Sequence, residues 1–466
     1  MAATATTTAA VRTVWRGSIV HSLSFEKLEV LPKACLGLFD NGRIAFLHKK
    51  EASLEELKEK EYPDLPWASD CHLREVPPKG FLAPGFIDTH THAPQYVFSG
   101  TAMDLGLLDW LNKYTFPTEA KFGEKEFAVH VYDKVVQRTL RSGTTTCAYY
   151  GTIHREGTRV LAETVHKYGQ RAFVGKVSMD RNSPETYIEA STEDALADAE
   201  AFVQDVLSLG DPLVQPALTP RFVPTCTLEL MKGLGALAKK HDLFIQSHIS
   251  ENKNEVAWVK DLHPQYSSYA EVYEACSLMT EKTVMAHGIY LTEEEIELFK
   301  KTGASISHCP NSNFTLHSGV LNVRHLMEKG LSKIAVGTDV SGGYSPSMLD
   351  ALRNVVTASN VISFYEGEGK KEKGYAPLTF AEAFYLCTLA GANVFGLAEE
   401  TGNFLPGKCF DALVVDAEAE GSPFDVFSSD ELLDIFEKWL FLGDDRNIKQ
   451  VIVNGRAVDL PSSSKE

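Results

Sequence analysis

Short apolar runs alternate with longer amphipathic segments through the middle of the chain. The runs are "GFIDTHTH", "GTTTCAYY", "RAFVGKVSMD", "VQPALTPRF", "FIQSHISE", "TVMAHG", "SISHCPNSN" and "KIAVGTDV". The segments between them, such as "AVHVYDKVVQRTLRS", "EDALADAEAFVQDVLSL" and "LELMKGLGALAKKH", carry apolar residues three and four apart, the helical period. Eight strands separated by helices require parallel connections, and eight is the number that closes a (β/α)8 barrel. The pattern therefore predicts an α/β protein with a TIM-like barrel over residues 81–399. An open doubly wound sheet is the alternative arrangement of the same elements.

The flanks have a different texture. Residues 10–80 and 400–460 read as short strands and turns. "GLFDNGRIAFL" sets Asp40-Asn41-Gly42 between two apolar runs, and "VIVNGRAVDL" does the same with Asn454-Gly455; both are hairpin signals. Neither region is large enough to bury a sheet alone, so the two are expected to pair into one small β-sandwich domain built from both chain ends. Residues 1–9 and the tail 461–466 are expected to be disordered, and the loop around "YEGEGKKEKGYAP" is read as an excursion that serves as a dimer contact or a lid.

Composition narrows the function classes. The 466 residues are 44% hydrophobic and 23% charged, ordinary values for a globular enzyme. A formal net charge of −18 argues against nucleic-acid partners, which are bound through basic surface that displaces counterions. The eight cysteines are scattered with no CxxC pair, which fits reduced thiols better than a disulfide framework. "MAATATTTAAVRTVW" has neither an apolar h-region nor a basic n-region. No stretch approaches the roughly 18 apolar residues of a membrane span. The expectation is a cytoplasmic protein with a small-molecule substrate.

Catalytic groups of a barrel gather at the C-terminal ends of its strands. The first run ends in His90 and His92, the fifth in His248 with Glu251 three residues on, the sixth in His287 and the eighth in Asp339. His90 and His92 are two apart and project from one face of a strand. A His-x-His triplet arises by chance about 0.5 times in a chain of this histidine content, so the pair alone carries little weight. Six such groups gathered on one rim carry much more. Imidazole and carboxylate are ligands of Zn²⁺ or Fe²⁺, and three histidines with one aspartate leave a position for water, whose pKa such an ion lowers from about 15.7 to about 7. Glu251 is placed to act as the proton carrier beside it.

"FIDTHTH", "HISE", "MAHG" and "VGTDV" resemble the motifs of the metal-dependent amidohydrolase superfamily, and the resemblance extends over almost the whole chain, including "GNFLPGKCFDALVVD". Longer strings ("THAPQYVFSG", "KYTFPTE", "GQRAFVGKV", "TPRF", "QSHISEN", "HCPNSN", "FLGDDRNI") are similar to its guanine deaminase branch. The resemblance implies His90, His92, His248 and Asp339 as ligands of one Zn²⁺ per subunit, Fe²⁺ being the other candidate. It implies Glu251 as proton shuttle, with His287 and Asp339 acting on water. It also implies a purine held by His92-Ala93-Pro94-Gln95, Arg221 and Phe222, together with His248, Glu251 and Asp339. Guanine as substrate and a homodimer follow from the same resemblance. On chemistry alone, Arg221 can donate to O6 and N7 of a guanine, Phe222 offers a stacking face, and Gln95 carries both a donor and an acceptor.

Several alternatives stay open. A binuclear relative would bridge two metals with a carboxylated lysine on the fourth strand; "VQPALTPRF" has none, although a shifted strand count would bring Lys176 there. The zinc deaminases of the cytidine type use P-C-x-x-C, which this chain lacks. Another amino-heterocycle (adenine, cytosine or a triazine) is a rival substrate, and a non-catalytic scaffold with the same fold is a rival role. His308 and Cys309 lie near the rim, where a hydrogen-bonding role is the simpler reading.

Overall fold

The computed structural model describes residues 9–366 and 375–461. The expectations for residues 1–8, for the tail beyond 461 and for the centre of the "YEGEGKKEKGYAP" loop lie outside the described residues.

Five strands open the chain: β1 (Val11–Ser24), β2 (Lys27–Phe39), β3 (Ile44–His48), β4 (Trp67–Glu75) and β5 (Gly80–Pro84). Then come β6 (Phe86–His92), β7 (Thr144–Tyr150), β8 (Arg171–Ser178), β9 (Val214–Pro220), β10 (Phe244–Ile249), β11 (Thr283–His287), β12 (Ser305–His308) and β13 (Ile334–Val336). These eight pair in parallel in sequence order, β6 to β13. Backbone bonds join the last strand's end to the first: Asp339 N–H donates to His90 C=O at 2.8 Å and His92 N–H to Val340 C=O at 2.9 Å. The buried Asp88 carboxylate adds to this seam, accepting from Thr338 N–H at 3.0 Å and Thr338 Oγ1 at 2.5 Å. The sheet is a TIM-like barrel, as the run count predicts.

Each run begins where the pattern puts it, but several end early. β12 stops at His308 because Pro310 opens a short helix, Pro310–Thr315, the position at which proline's missing N–H costs nothing. β13 spans three residues, and Asp339 lies three past its end. Helices close the gaps, many with side-chain caps: Ser191, Thr227 and Thr292 each accept from a first-turn N–H.

The remaining strands, β14 (Ala412–Asp416), β15 (Ile448–Val453) and β16 (Arg456–Ala457), join the opening ones in a separate mixed sheet, ordered β16-β15-β14-β5-β1-β2-β3 with β4 on β1. Both expected hairpins form, β2–β3 and β15–β16. The two turns also touch each other. A Cβ on Gly42 would lie 2.2 Å from Asn454 O, and one on Gly455 would lie 2.2 Å from Gly42 Cα. Both glycines have positive φ, +83° and +75°, so backbone conformation and space alike call for glycine. His21, fully buried on β1, makes a second tie: its Nε2 lies 3.2 Å from Glu29 Oε2 and its Nδ1 accepts from Phe404 N–H at 3.1 Å.

Candidate active site

The rim residues converge. His90 and His92 close β6, His248 lies on β10, and their ring nitrogens meet the Asp339 carboxylate: His90 Nε2 is 3.2 Å and His92 Nε2 3.5 Å from Asp339 Oδ1, and the Nε2 atoms of His92 and His248 are 3.1 Å apart. These four donors lie within 4.8 Å of one another. Ligands at 2.0–2.2 Å around a tetrahedral ion stand about 3.3–3.6 Å from each other, so the spacing suits a single small divalent cation. Direction supports this as well as distance. Nε2 of His90 is buried and, despite the nearby carboxylate, has no aligned hydrogen-bond partner. His248 Nδ1 is 2.6 Å from Arg221 C=O; as a donor there it leaves Nε2 a lone pair facing the cluster, the usual outer support of a ligating histidine.

His287 completes the rim. Its Nδ1 sits 2.9 Å from Asn313 Oδ1, while Nε2 faces Glu251 Oε2 at 3.3 Å and Asp339 Oδ2 at 3.6 Å. Ser318 Oγ donates to the other Glu251 oxygen at 3.0 Å. Three backbones here occupy the left-handed region without being glycine: Ser250 (φ 49°), His287 (φ 72°) and Asp339 (φ 49°). Such conformations cost about 1–3 kcal/mol each and collect at functional sites.

Burial and mutual charge sort the protonation states. Burial pushes the Glu251 carboxyl up to about 7, with Glu255 and Asp339 adding to the effect against His287. Burial acts the same way on Asp339, but the imidazoles of His90, His287 and His92 outweigh it and hold that carboxyl well below the usual range. Burial lowers His90, His92 and His248, keeping them neutral and able to ligate. It opposes the charged form of His287 too, yet Glu251 and Asp339 prevail and raise that ring. Adjacent carboxyls with opposite shifts are the signature of divided acid and base roles.

Beside the cluster is a pocket that combines a few polar groups with apolar walls, the usual lining of a small-molecule site. Gln95, Arg221, Glu251 and the rim histidines face apolar Leu107, Trp110, Leu111, Phe222 and Leu316 across it. Arg221 and Gln95 also share a partner behind the pocket. The fully buried Glu119 accepts from Arg221 Nη1 at 2.6 Å, from Arg221 Nη2 at 3.2 Å and from Gln95 Nε2 at 2.8 Å.

Comparison with known proteins decides the lineage. Residues 81–458 match the model of the amidohydrolase family. A guanine deaminase of Mus musculus is 49% identical over 97% of this chain and 97% of its own, and one of Dictyostelium discoideum is 47% identical over 96% and 98%. The chain belongs to the amidohydrolase family, in its guanine deaminase branch. The crystal structure of guanine deaminase from C. acetobutylicum with bound guanine in the active site superposes with a TM-score of 0.85 at 34% identity, covering 96% of this chain and 100% of that one.

Nearly every residue singled out from sequence therefore lies in one place. His90, His92, His248 and Asp339 form the donor cluster, and His92, Gln95, Arg221, Phe222, His248, Glu251, His287 and Asp339 line the pocket. Ala93 and Pro94 do not line it; they are buried in the turn Ala93–Phe98 that presents Gln95. Lys176 falls on the third barrel strand, its ammonium 2.5 Å from Glu189, and takes no part in the cluster. His308 is buried and held down to about 3 by that burial. Cys309 approaches His287 and Asp339 in a second grouping that shares the same site. Sequence reasoning missed Glu119, Asp88, Leu107, Trp110, Leu111 and Leu316. Asp88 lay in the marked run "GFIDTHTH" and Glu119 in the marked string "KYTFPTE", but neither was assigned a role.

Proposed function

We propose that this enzyme hydrolyses guanine to xanthine and ammonia. The observation that carries the proposal is the union, in one pocket, of a four-donor cluster with Arg221, Gln95 and Phe222 as a base-recognition face. We assign His90, His92, His248 and Asp339 as the residues that hold one Zn²⁺, since three neutral imidazoles and one carboxylate are a standard zinc set; metal analysis separates zinc from Fe²⁺, which shares such ligands. When bound, that cation supplies water acidified from about 15.7 towards about 7.

The protein's own groups do the rest. Phe222 and the facing leucines exclude solvent and offer a stacking surface, while Arg221 donates to the oxygen and ring-nitrogen edge of the base. Asp339, anionic at all working pH, takes the proton that water releases, with His287 beside it. Glu251, poised near neutrality, gives its proton to the ring nitrogen next to the amine-bearing carbon, takes one from the newly added hydroxyl and passes that to the departing amine; the proton held by Asp339 then returns to Glu251, so that water and guanine leave as xanthine and ammonia.

The test is a spectrophotometric assay of guanine against adenine, cytosine and an amino-triazine, with and without chelator. Guanine turnover that chelation abolishes and added Zn²⁺ restores is expected; faster deamination of another base overturns the assignment. Eight free cysteines suit a reducing compartment, and we place the enzyme in the cytoplasm. A homodimer is part of the same proposal, to be checked by light scattering.

A further inference from the structure

The string "KYTFPTE" places Phe116 and Glu119 three residues apart on one short helix, Phe116–Glu119, so both face the same way. The guanidinium of Arg221 sits between them, 5.1 Å from the Phe116 ring centre and doubly bonded to the Glu119 carboxylate. Glu119 is absent from the pocket surface. Whatever it does to a substrate, it does through Arg221 and Gln95.

Two consequences follow from donor and acceptor counting. A carboxamide is nearly symmetric in shape, and its orientation is decided by its partners. The Gln95 amide has an acceptor-only carboxylate on one side and a backbone donor, Ser341 N–H at 3.0 Å from Oε1, on the other. Only one orientation satisfies both, leaving Gln95 one N–H and one lone pair for a ligand. Arg221 has five N–H donors and no acceptor. Glu119 takes two of them, and the three left free can pair only with acceptors.

We propose that Glu119 is the positioning residue that sets base specificity, by fixing the Gln95 carboxamide and the Arg221 guanidinium so that the site accepts a purine bearing oxygen at carbon 6 and rejects one bearing an amine there. This rests on the reading of the pocket as a guanine site. An amine facing the free donors of Arg221 leaves buried polar groups unpaired, the arrangement by which sites built on hydrogen bonds discriminate most strongly. With Glu119 neutral, Gln95 can turn over and Arg221 can swing, and both orientations become available to the wrong base.

The experiment compares guanine with 2,6-diaminopurine, which keeps the amine to be removed and replaces the carbon-6 oxygen by a second amine. In Glu119→Gln, KM for guanine should rise more than kcat falls, and the preference for guanine over 2,6-diaminopurine in kcat/KM should shrink about tenfold or more. Glu119→Asp, which keeps the charge but withdraws it by one methylene, should narrow the preference less. Equal losses on both bases, with the preference unchanged, overturn the proposal and leave Glu119 a structural residue. If neither variant folds, a crystal of the wild-type enzyme with guanine decides: Arg221 and Gln95 still bonded to Glu119 supports the proposal, and either one released from it overturns it. A wild-type enzyme that does not deaminate guanine sinks the pocket assignment itself, an outcome visible in the same assay before any variant is made.

Discussion

At the scale of single residues, the site works by contrast between neighbours. Glu251 and Asp339 are both buried carboxyls on one rim, yet one is pushed up to about 7 and the other is held far below its ordinary range. Burial dominates the first and surrounding imidazoles the second. Glu251→Gln should therefore keep its metal, as read by elemental analysis, and lose about 10²–10⁴-fold in kcat; near-normal turnover would remove Glu251 from proton transfer. The residues legible from sequence are those that sit at strand ends, because the barrel dictates where such ends point. Those that act behind them were not. Glu119 meets Arg221 across 102 positions of chain, and nothing local distinguishes it from other acids on short helices. Asp88 was hidden in the same way: two residues before His90, it reads as one more polar position of a strand, although it staples the first strand to the loop after the last.

At the scale of elements, the starts of all eight barrel strands were legible and most of their ends were not. Strands buried on both faces are continuous apolar runs, which mark a beginning well. Where they stop depends on turns whose conformation is imposed from outside, as at Asp339 and His287 with positive φ. The final strand illustrates how tightly this is built. Gly337 lies between β13 and the first strand, and a Cβ there would fall 2.8 Å from His90 Cβ and 2.6 Å from Ser307 Oγ. Gly337→Ala should displace His90 and lower bound metal, with activity falling in proportion to metal content. A variant with full metal and full activity would show that the seam can yield.

At the scale of the whole molecule, the second sheet depends on contacts between distant parts of the chain. His21 reports on one of them. Its Nδ1 must keep a lone pair to accept from Phe404 N–H, and burial lowers the ring's pKa to about 4, against the pull of Glu29. A histidine whose folded pKa lies below its unfolded value stabilises fully above pH 6.5 and loses that contribution as pH falls towards 4, because the unfolded chain takes up the proton first. Over that window the loss is about 3 kcal/mol. Urea unfolding midpoints should drop more steeply between pH 6.5 and 4.5 in the wild type than in His21→Gln; parallel slopes would mean the ring titrates normally.

The pairing of β5 with β14 has a consequence for biosynthesis. Gly80–Pro84 leaves the ribosome roughly 330 residues ahead of Ala412–Asp416, its partner on one side, an interval of about 20–70 s at ordinary elongation rates. Throughout that interval one border of the nascent sheet has open backbone groups, a template on which another polypeptide can add itself. Translation that stalls inside the barrel would leave this border unpaired, so arrested chains should be recovered in the insoluble fraction or in complex with chaperones.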